Sequence, residues 1–257
     1  MNTVLPIQVK IGNGTPVVLL HGLGNNFRSW TYVLDQLDES RNKIIAVDLL
    51  GFGDASKPKD CDYTASDHAE AVINTLDSLN LTGAMIVGHS MGCIVAAEVA
   101  RLRPDLVTRL LLLGAPLFKH QPNRFDRLKF WVKEDAYSKI FKILSTQKDL
   151  TLAAANGVVK FLPLIKGMEV TEETWQPFRK SLMNTIVQTQ TYRFLRTIQI
   201  PTQVVYGHLD LFVIKRNLKI VARHNKKFVS YDTMLGPHEI TPIHGKAIAE
   251  LIQPAQK

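Results

Sequence analysis

A serine between two glycines, directly after a short apolar run, constrains this chain more than any other feature. The run 84–87 is followed at 88–92 by Gly-His-Ser-Met-Gly and then by an apolar stretch with helical character. A serine at such a junction can occupy a sharp, strained turn that exposes its hydroxyl for nucleophilic attack. The glycines favour this turn because a Cβ at Gly88 or Gly92 would obstruct the close approach of strand and helix. The pattern predicts a strand, a tight turn and a helix, with Ser90 as a candidate nucleophile.

An acid and a histidine follow two later apolar runs. Asp210 comes just after the run 203–206, and His238 follows the run 227–231. A histidine oriented by a carboxylate can take the proton of a weakly nucleophilic serine hydroxyl. The chain order Ser90, Asp210, His238 is one of the orders in which such triads occur. These three residues are therefore the predicted catalytic residues.

The sequence offers rivals for two of these roles. His238 is preferred as the base because it follows the last strand, from which a loop can descend onto the serine. His208 and His244 are its nearest rivals along the chain. Asp232 is the rival of Asp210 for the acid. No acid follows the run that ends at 113, so that alternative position is vacant.

A glycine-rich loop follows an early apolar run. Residues 16–20 lead directly into His-Gly-Leu-Gly at 21–24. A backbone N–H of such a loop, together with the N–H after the nucleophile, can hold the oxyanion that develops during attack on a carbonyl carbon. The predicted oxyanion hole therefore consists of Leu23 and Met91, and His21 is expected to brace the loop.

The segments together resemble the α/β-hydrolase fold family, in its small single-domain form with a cap. Residues 48–58 are similar to the family's acidic-Gly-x-Gly-x-Ser loop, and 110–116 resemble the strand before the cap. The resemblance covers nearly the whole chain. It implies a serine hydrolase that cleaves a small carboxylic ester through an acyl-enzyme intermediate, without a metal or an organic cofactor.

Fold alone does not determine the reaction. The resemblance leaves open a carbon–carbon bond hydrolase, a thioesterase or a lactonase with the same triad. It also leaves open a sensor that binds a small molecule and turns it over slowly. Serine at position 90 argues against a haloalkane dehalogenase, for which the resemblance would imply aspartate there.

Short apolar runs alternate with helical patterns along the chain. Strands are predicted at 17–20, 43–47, 84–87, 109–113, 203–206 and 227–231, and helices at 28–37, 66–79, 91–102, 213–223 and from about 242 to 251. Continuous apolar strands are typical of a parallel sheet covered on both faces. The alternation predicts an α/β fold with a mostly parallel, doubly wound central sheet. One antiparallel strand at 7–11 brings the sheet to about seven strands.

The segment 117–190 departs from this alternation. It contains helical patterns at 124–133, 137–144, 150–159 and 172–187 and few strand signals. It is predicted to be a helical cap inserted into a core formed by 1–116 and 191–257. Its aromatic and apolar residues are expected to include some pocket walls, while most of them form the small core of the cap itself: Phe125, Phe130, Trp131, Phe141, Phe161, Leu162, Trp175 and Phe178. The histidines expected on the surface or in the cap are His68, His120 and His224.

The remaining predictions concern partners and location. The predicted substrate contacts are Gly22, Asn25, His89, Leu117 and Trp131. With 46% hydrophobic residues in 257, the chain is long enough for one large core with an insertion. Its net charge of +8 comes without an aromatic-interleaved basic stripe, so no nucleic-acid partner is expected. Neither a signal-peptide pattern nor a membrane-spanning run is found, and a cytoplasmic protein that acts on a small molecule is predicted. The two cysteines, Cys61 and Cys93, do not suggest a disulfide framework.

Overall fold

A computed structural model of the protein describes residues 2–119, 134–155 and 168–254. Its strands form one sheet with the order β1-β3-β2-β4-β5-β6-β7. The strands are β1 (Ile7–Ile11), β2 (Thr15–Leu20), β3 (Asn42–Val47), β4 (Ala84–His89), β5 (Val107–Leu113), β6 (Thr202–Gly207) and β7 (Val229–Met234). Strand β1 pairs antiparallel with β3, and all other neighbours are parallel. The predicted α/β class and seven-stranded, mostly parallel sheet are confirmed.

The central strands are apolar throughout because both of their faces are covered. In β2, Val18 and Leu20 belong to one hydrophobic cluster and Val17 and Leu19 to another, and all four are fully buried. Successive side chains of a strand point to opposite faces of the sheet, so the two clusters lie on its two sides. All six residues of β4 are buried. The turn after β4 therefore follows a strand that is buried along its whole length.

Helices flank this sheet on both sides. Within the described residues they are α1 (Thr31–Leu34), α2 (Ala65–Ser78), α3 (Met91–Leu102), α4 (Glu134–Thr146), α5 (Lys148–Ala155), α6 (Trp175–Ser181), α7 (Thr191–Leu195), α8 (Lys215–His224) and α9 (Pro242–Ile252). Buried residues of α2 and α3 join one cluster, and those of α1 and α9 join the other. None of the helices in the part of the chain described here is long and apolar enough to cross a membrane. Cys61 and Cys93 are both buried free thiols.

Several predicted elements differ by a few residues from the observed ones, and two of these differences have a clear local cause. The helix predicted at 28–37 is a 3₁₀ turn followed by the single turn α1, because the Asn26 side chain accepts a hydrogen bond from the Arg28 N–H and starts a tighter turn. The last strand begins at Val229 rather than 227, since Phe228 and Val229 both donate backbone hydrogen bonds to the Asn225 carbonyl. It extends to Met234 through residues that are exposed, as expected on a sheet edge.

Between β5 and β6, three helices lie where helical patterns were predicted. They are α4, α5 and α6. Helix α4 covers the prediction at 137–144, and α5 covers the beginning of the one at 150–159, whose remainder lies outside the described residues. The pattern at 172–187 forms α6 and then a π-helical segment, Leu182–Val187. The helix predicted at 124–133 also lies outside the described residues.

His68 lies in the core on α2, so its expected position on the surface or in the cap is wrong. Its ring is fully buried on α2 and its Nε2 lies 3.0 Å from the Ser181 Oγ on α6. Phe52 stacks against the ring, with centroids 6.4 Å apart, and Tyr63 lies at 6.0 Å. Residue 68 lies on the same inward face of α2 as its apolar neighbours. The contact between His68 and Ser181 joins α2 to α6.

Candidate active site

The turn at Ser90 has the strained geometry that the glycine pattern predicts. Strand β4 ends at His89, α3 begins at Met91, and Ser90 lies between them with φ 52° and ψ −115°. A positive φ at a residue with a side chain is costly and recurs at functional sites. A Cβ on Gly88 would lie 2.4 Å from the Gly92 carbonyl oxygen, and one on Gly92 only 2.2 Å from that of Leu20. Glycine at both positions is therefore required by close backbone approach.

Asp210 and His238 form a hydrogen-bonded pair in which the carboxylate is buried and the imidazole is partly buried. The Asp210 Oδ2 lies 2.8 Å from the His238 Nδ1, and its side chain is 1% exposed. The other carboxylate oxygen accepts hydrogen bonds from the backbone N–H groups of Phe212 and Val213, at 2.8 and 3.3 Å. Since a carboxylate accepts, Nδ1 of His238 carries the proton and Nε2 is left as the basic nitrogen. The Phe212 ring packs against the imidazole with centroids 4.6 Å apart.

The rival histidines and the rival acid are engaged elsewhere. His208 is exposed, with its Nδ1 2.8 Å from the Met234 carbonyl oxygen. His244 is buried and donates from Nε2 to the Leu235 carbonyl at 2.7 Å, while Asp232 is exposed on β7 and accepts from the Gln203 amide. Ser90 lines two cavities, and among their described lining residues His238 is present and these three are not.

A network of hydrogen bonds supports the predicted oxyanion loop. The His21 Nε2 accepts from the Leu49 N–H at 2.8 Å, and its Nδ1 donates to the Gly22 carbonyl at 2.8 Å. The expectation that His21 braces this loop is thus met by its geometry. Leu23 lines the same two cavities as Ser90. Met91 is the first residue of α3, where a backbone N–H has no partner within the helix.

His89 connects the serine turn to the loop that carries His238. Its Nε2 donates to the His238 carbonyl oxygen at 2.9 Å, and the two rings are 5.0 Å apart. Its Nδ1 is buried and has no hydrogen-bond partner among the described residues. Sequence reasoning assigned His89 only a substrate contact and missed this link. No local signal could reveal it, because the partner lies 149 residues away.

The first cavity beside Ser90, the inner cavity, is apolar. Apart from Ser90 and His238, every described residue that lines it is apolar: Leu23, Pro116, Phe118, Ile140, Phe141, Leu144, Met168, Phe178, Leu182, Ile186 and Phe212. Helix α4, helix α6 and the π-helical segment supply much of this wall. Of the residues predicted to form either pocket walls or the core of the cap, Phe141 and Phe178 line this cavity. Trp175 is buried elsewhere in the core, and the others lie outside the described residues.

The second cavity, the outer cavity, has a polar lining. Its described lining residues are Gly22, Leu23, Asn25, Ser29, His89, Ser90, Met168, His238, Glu239 and Ile240. Three of the predicted substrate contacts, Gly22, Asn25 and His89, are among them. Leu117 is buried and its carbonyl accepts from the Asn217 side chain, while its neighbours Pro116 and Phe118 line the inner cavity. Trp131 lies outside the described residues. Within the described ranges, no group of three or more His, Cys, Asp or Glu side chains is placed to hold a metal ion.

Three buried histidines predict a loss of stability in mild acid. Burial lowers the pKa of His21 to about 4 and those of His68 and His89 to about 3. In the unfolded chain a histidine titrates near pH 6.5, so below roughly that pH the unfolded state binds protons that the folded state does not. The free energy of unfolding is expected to fall between about pH 6.5 and pH 4, by up to about 1.4 kcal/mol per pH unit for each histidine.

Urea denaturation at a series of pH values measures this loss. A His68→Gln variant should show a shallower dependence, because one titrating group is removed. A wild-type stability that stays constant from about pH 7 to pH 4.5 would contradict the prediction.

Comparisons with known proteins identify the fold family. A family model described as the alpha/beta hydrolase fold matches residues 15–233. An uncharacterized protein of Mycobacterium tuberculosis is 39% identical over 104 residues, which are 40% of this chain and 30% of that protein. A 2-hydroxymuconate semialdehyde hydrolase of a Pseudomonas species is 35% identical over 107 residues, 40% of this chain and 38% of the enzyme. The matches span about a third of the length of these curated relatives.

A solved structure agrees over nearly the whole chain. An esterase from Exiguobacterium antarcticum is similar with a TM-score of 0.75 and 19% identity, covering 98% of each chain. At this identity the likeness concerns the fold. The family model covers most of the sequence, and the resemblance inferred from the sequence motifs is confirmed. This chain belongs to the alpha/beta hydrolase fold family.

Proposed function

We propose that this protein is a serine hydrolase that cleaves a small carboxylic ester through an acyl-enzyme intermediate. The observation that carries the proposal is the hydrogen bond of 2.8 Å between the buried Asp210 carboxylate and His238, which lines the same two cavities as Ser90. A nucleophile on a strained turn, a base near it and a carboxylate that orients the base are the parts that acyl transfer needs.

The first half of the reaction transfers the acyl group to the serine. The Ser90 Oγ attacks the ester carbonyl carbon while the Nε2 of His238 takes the hydroxyl proton. Asp210 keeps the other imidazole nitrogen protonated and stabilises the imidazolium that forms. The N–H groups of Leu23 and Met91 donate to the oxyanion. When the intermediate collapses, the bond from carbon to the alcohol oxygen breaks and His238 gives its proton to that oxygen.

The second half releases the acid. A water molecule takes the place of the alcohol and attacks the acyl carbon, with His238 again accepting a proton. The bond between the acyl carbon and the Ser90 Oγ then breaks, and the proton returns to the serine. The carboxylic acid leaves and the resting site is restored. Apart from this water molecule, every group in the cycle belongs to the chain or to the substrate.

We also propose that residues 117–190 act as a cap over a core made of 1–116 and 191–257. Support comes from the inner cavity, where Ile140, Phe141 and Leu144 of α4 face the same space as Ser90. Phe178 and Leu182, which come later in the same insertion, also line this cavity. The shape and chemistry of the acyl-binding wall are then decided mainly by the insertion.

A carbon–carbon bond hydrolase is the second candidate, favoured by the 35% identity to the 2-hydroxymuconate semialdehyde hydrolase. The name of that enzyme indicates a carboxylate substrate. A carboxylate buried in a site is normally met by Arg or Lys. Among the described residues that line the two cavities there is neither. The described linings therefore supply no counter-ion for such an anion, whereas a neutral ester needs none.

An initial-rate screen tests the proposal. p-Nitrophenyl esters of increasing acyl length are assayed, and a fluorophosphonate label is mapped by mass spectrometry. We expect labelling at Ser90 and a rate that peaks at one chain length, because the inner cavity has walls on several sides. Absence of labelling at Ser90 would contradict the assignment of Ser90 as the nucleophile. Labelling without ester turnover would favour the carbon–carbon hydrolase or a sensor.

A further inference from the structure

The two cavities that meet at Ser90 and His238 have opposite chemical character. Among the described residues, the inner cavity has only apolar side chains besides these two. The outer cavity adds the polar side chains of Asn25, Ser29 and Glu239. An ester whose carbonyl lies at Ser90 has two arms, and each arm must enter one of the cavities. The contrast implies a substrate with one apolar arm and one polar arm.

The chemistry of the acyl-enzyme assigns the arms to the cavities. The alcohol must depart before water can attack, whereas the acyl group stays attached to Ser90 through both steps. The outer cavity reaches Glu239, which is exposed, and Asn25 and Ser29, which are half-buried. It therefore provides the path to solvent for alcohol and water. The inner cavity, lined by buried residues such as Phe178 and Leu182, retains the acyl group.

The polar side chains of the outer cavity match hydroxyl groups. The Ser29 hydroxyl donates to the Asn26 carbonyl at 2.9 Å, so its oxygen lone pairs remain to accept. The Glu239 carboxylate accepts, and the Asn25 amide both donates and accepts. Hydroxyl groups are donors and acceptors at once and satisfy this mixture. Glu239 is the one charged side chain among the described lining residues, and it disfavours an anionic alcohol.

We propose that the outer cavity binds a polyhydroxylated leaving group and that the substrates are esters of an apolar acid with a polyol of the glycerol class. This assignment rests on the proposed ester hydrolysis and specifies which alcohol is released. The hydroxyl groups form hydrogen bonds with Ser29, Asn25 and Glu239. The length of the acyl chain is limited by Ile140 and its apolar neighbours in the inner cavity.

Three esters of one acid test the leaving-group preference. The acyl chain is the one hydrolysed fastest in the p-nitrophenyl series, esterified to ethanol, glycerol or choline. We expect kcat/KM for the glyceryl ester to exceed that for the ethyl ester by about tenfold, as for one or two net hydrogen bonds. The choline ester should not exceed the glyceryl ester, because a trimethylammonium group cannot donate hydrogen bonds to the acceptors of the outer cavity.

Matched variants separate the two cavities. Ser29→Ala should lower the glyceryl-to-ethyl ratio by about threefold or more and leave the preferred acyl length unchanged. Glu239→Gln, which keeps the shape of an exposed side chain, should lower the same ratio. Ile140→Ala should shift the preferred acyl chain to a longer one and leave the ratio unchanged. Melting temperatures identify any variant that is misfolded.

The outcomes distinguish this inference from the function on which it rests. Loss of all ester hydrolysis in the wild type would overturn the proposed function. Serine-dependent hydrolysis with equal rates for the glyceryl and ethyl esters would overturn the polyol assignment alone. A preference for the choline ester would also overturn it, in favour of a cationic leaving group. A ratio that responds to Ile140→Ala but not to Ser29→Ala or Glu239→Gln would reverse the assignment of the arms.

Discussion

Replacing Ser90 by alanine is expected to lower kcat for ester hydrolysis by about 10⁶-fold. The hydroxyl is the only part of the proposed machinery that forms a bond to the substrate, so no other group can take over its step. The oxyanion donors and both cavities remain, and they sustain a residual rate of about 10³-fold over the uncatalysed reaction. Alanine retains the Cβ and removes one oxygen, so the melting temperature should change little. Steady-state kinetics and thermal denaturation of the same preparation measure both effects.

A serine far from the site provides the matched control. Ser230 is exposed on β7, at the edge of the sheet. The Ser230→Ala variant should keep wild-type kinetics and its fluorophosphonate labelling at Ser90. If Ser90→Ala retained more than about one hundredth of the wild-type kcat, the nucleophile would have to be a different residue.

The parts of the site that could be predicted depend on short stretches of sequence. Strand β4, the turn at Ser90 and helix α3 follow one another without interruption, so their pattern is local. Glycine is required at positions 88 and 92 because of close backbone contacts within this strand–turn–helix unit and with the neighbouring strand β2. Asp210 and His238 follow the strands β6 and β7. These strands run parallel to β4, so their carboxyl ends lie on the same side of the sheet as the carboxyl end of β4.

The parts that could not be predicted depend on contacts between distant segments. The His89 Nε2 bond to the His238 carbonyl and the contact between His68 and Ser181 each join separate elements. A helical pattern specifies that a residue faces inward but not what it meets there. Several walls of the inner cavity come from helices. The angles at which these helices pack are not encoded in the periodicity of their sequences. The extension of β7 from Tyr231 to Met234 had no hydrophobic signal, because these residues are mostly exposed.

Replacing Asp210 by asparagine is expected to lower kcat by about 10⁴-fold while the site stays assembled. The carboxylate accepts the Nδ1 proton of His238 at 2.8 Å and two backbone N–H bonds through its other oxygen. An asparagine oxygen can still accept the backbone bonds, but its amide then faces His238 with a donor. The imidazole would be held in the tautomer that carries its proton on Nε2, which cannot take a proton from Ser90.

The Asp232→Asn variant is the control for this prediction, because Asp232 was the rival acid. It is exposed on β7 and accepts a hydrogen bond from Gln203, so its loss should leave kcat near the wild-type value. Fluorophosphonate labelling of Ser90 should slow strongly in the Asp210 variant alone, since labelling needs the same proton transfer. The reverse pattern, with Asp232→Asn inactive and Asp210→Asn active, would transfer the acid role to Asp232. Of these two acids, Asp210 is hydrogen-bonded to His238 and Asp232 to Gln203. The difference between the two variants therefore separates control of the histidine tautomer from a general loss of negative charge.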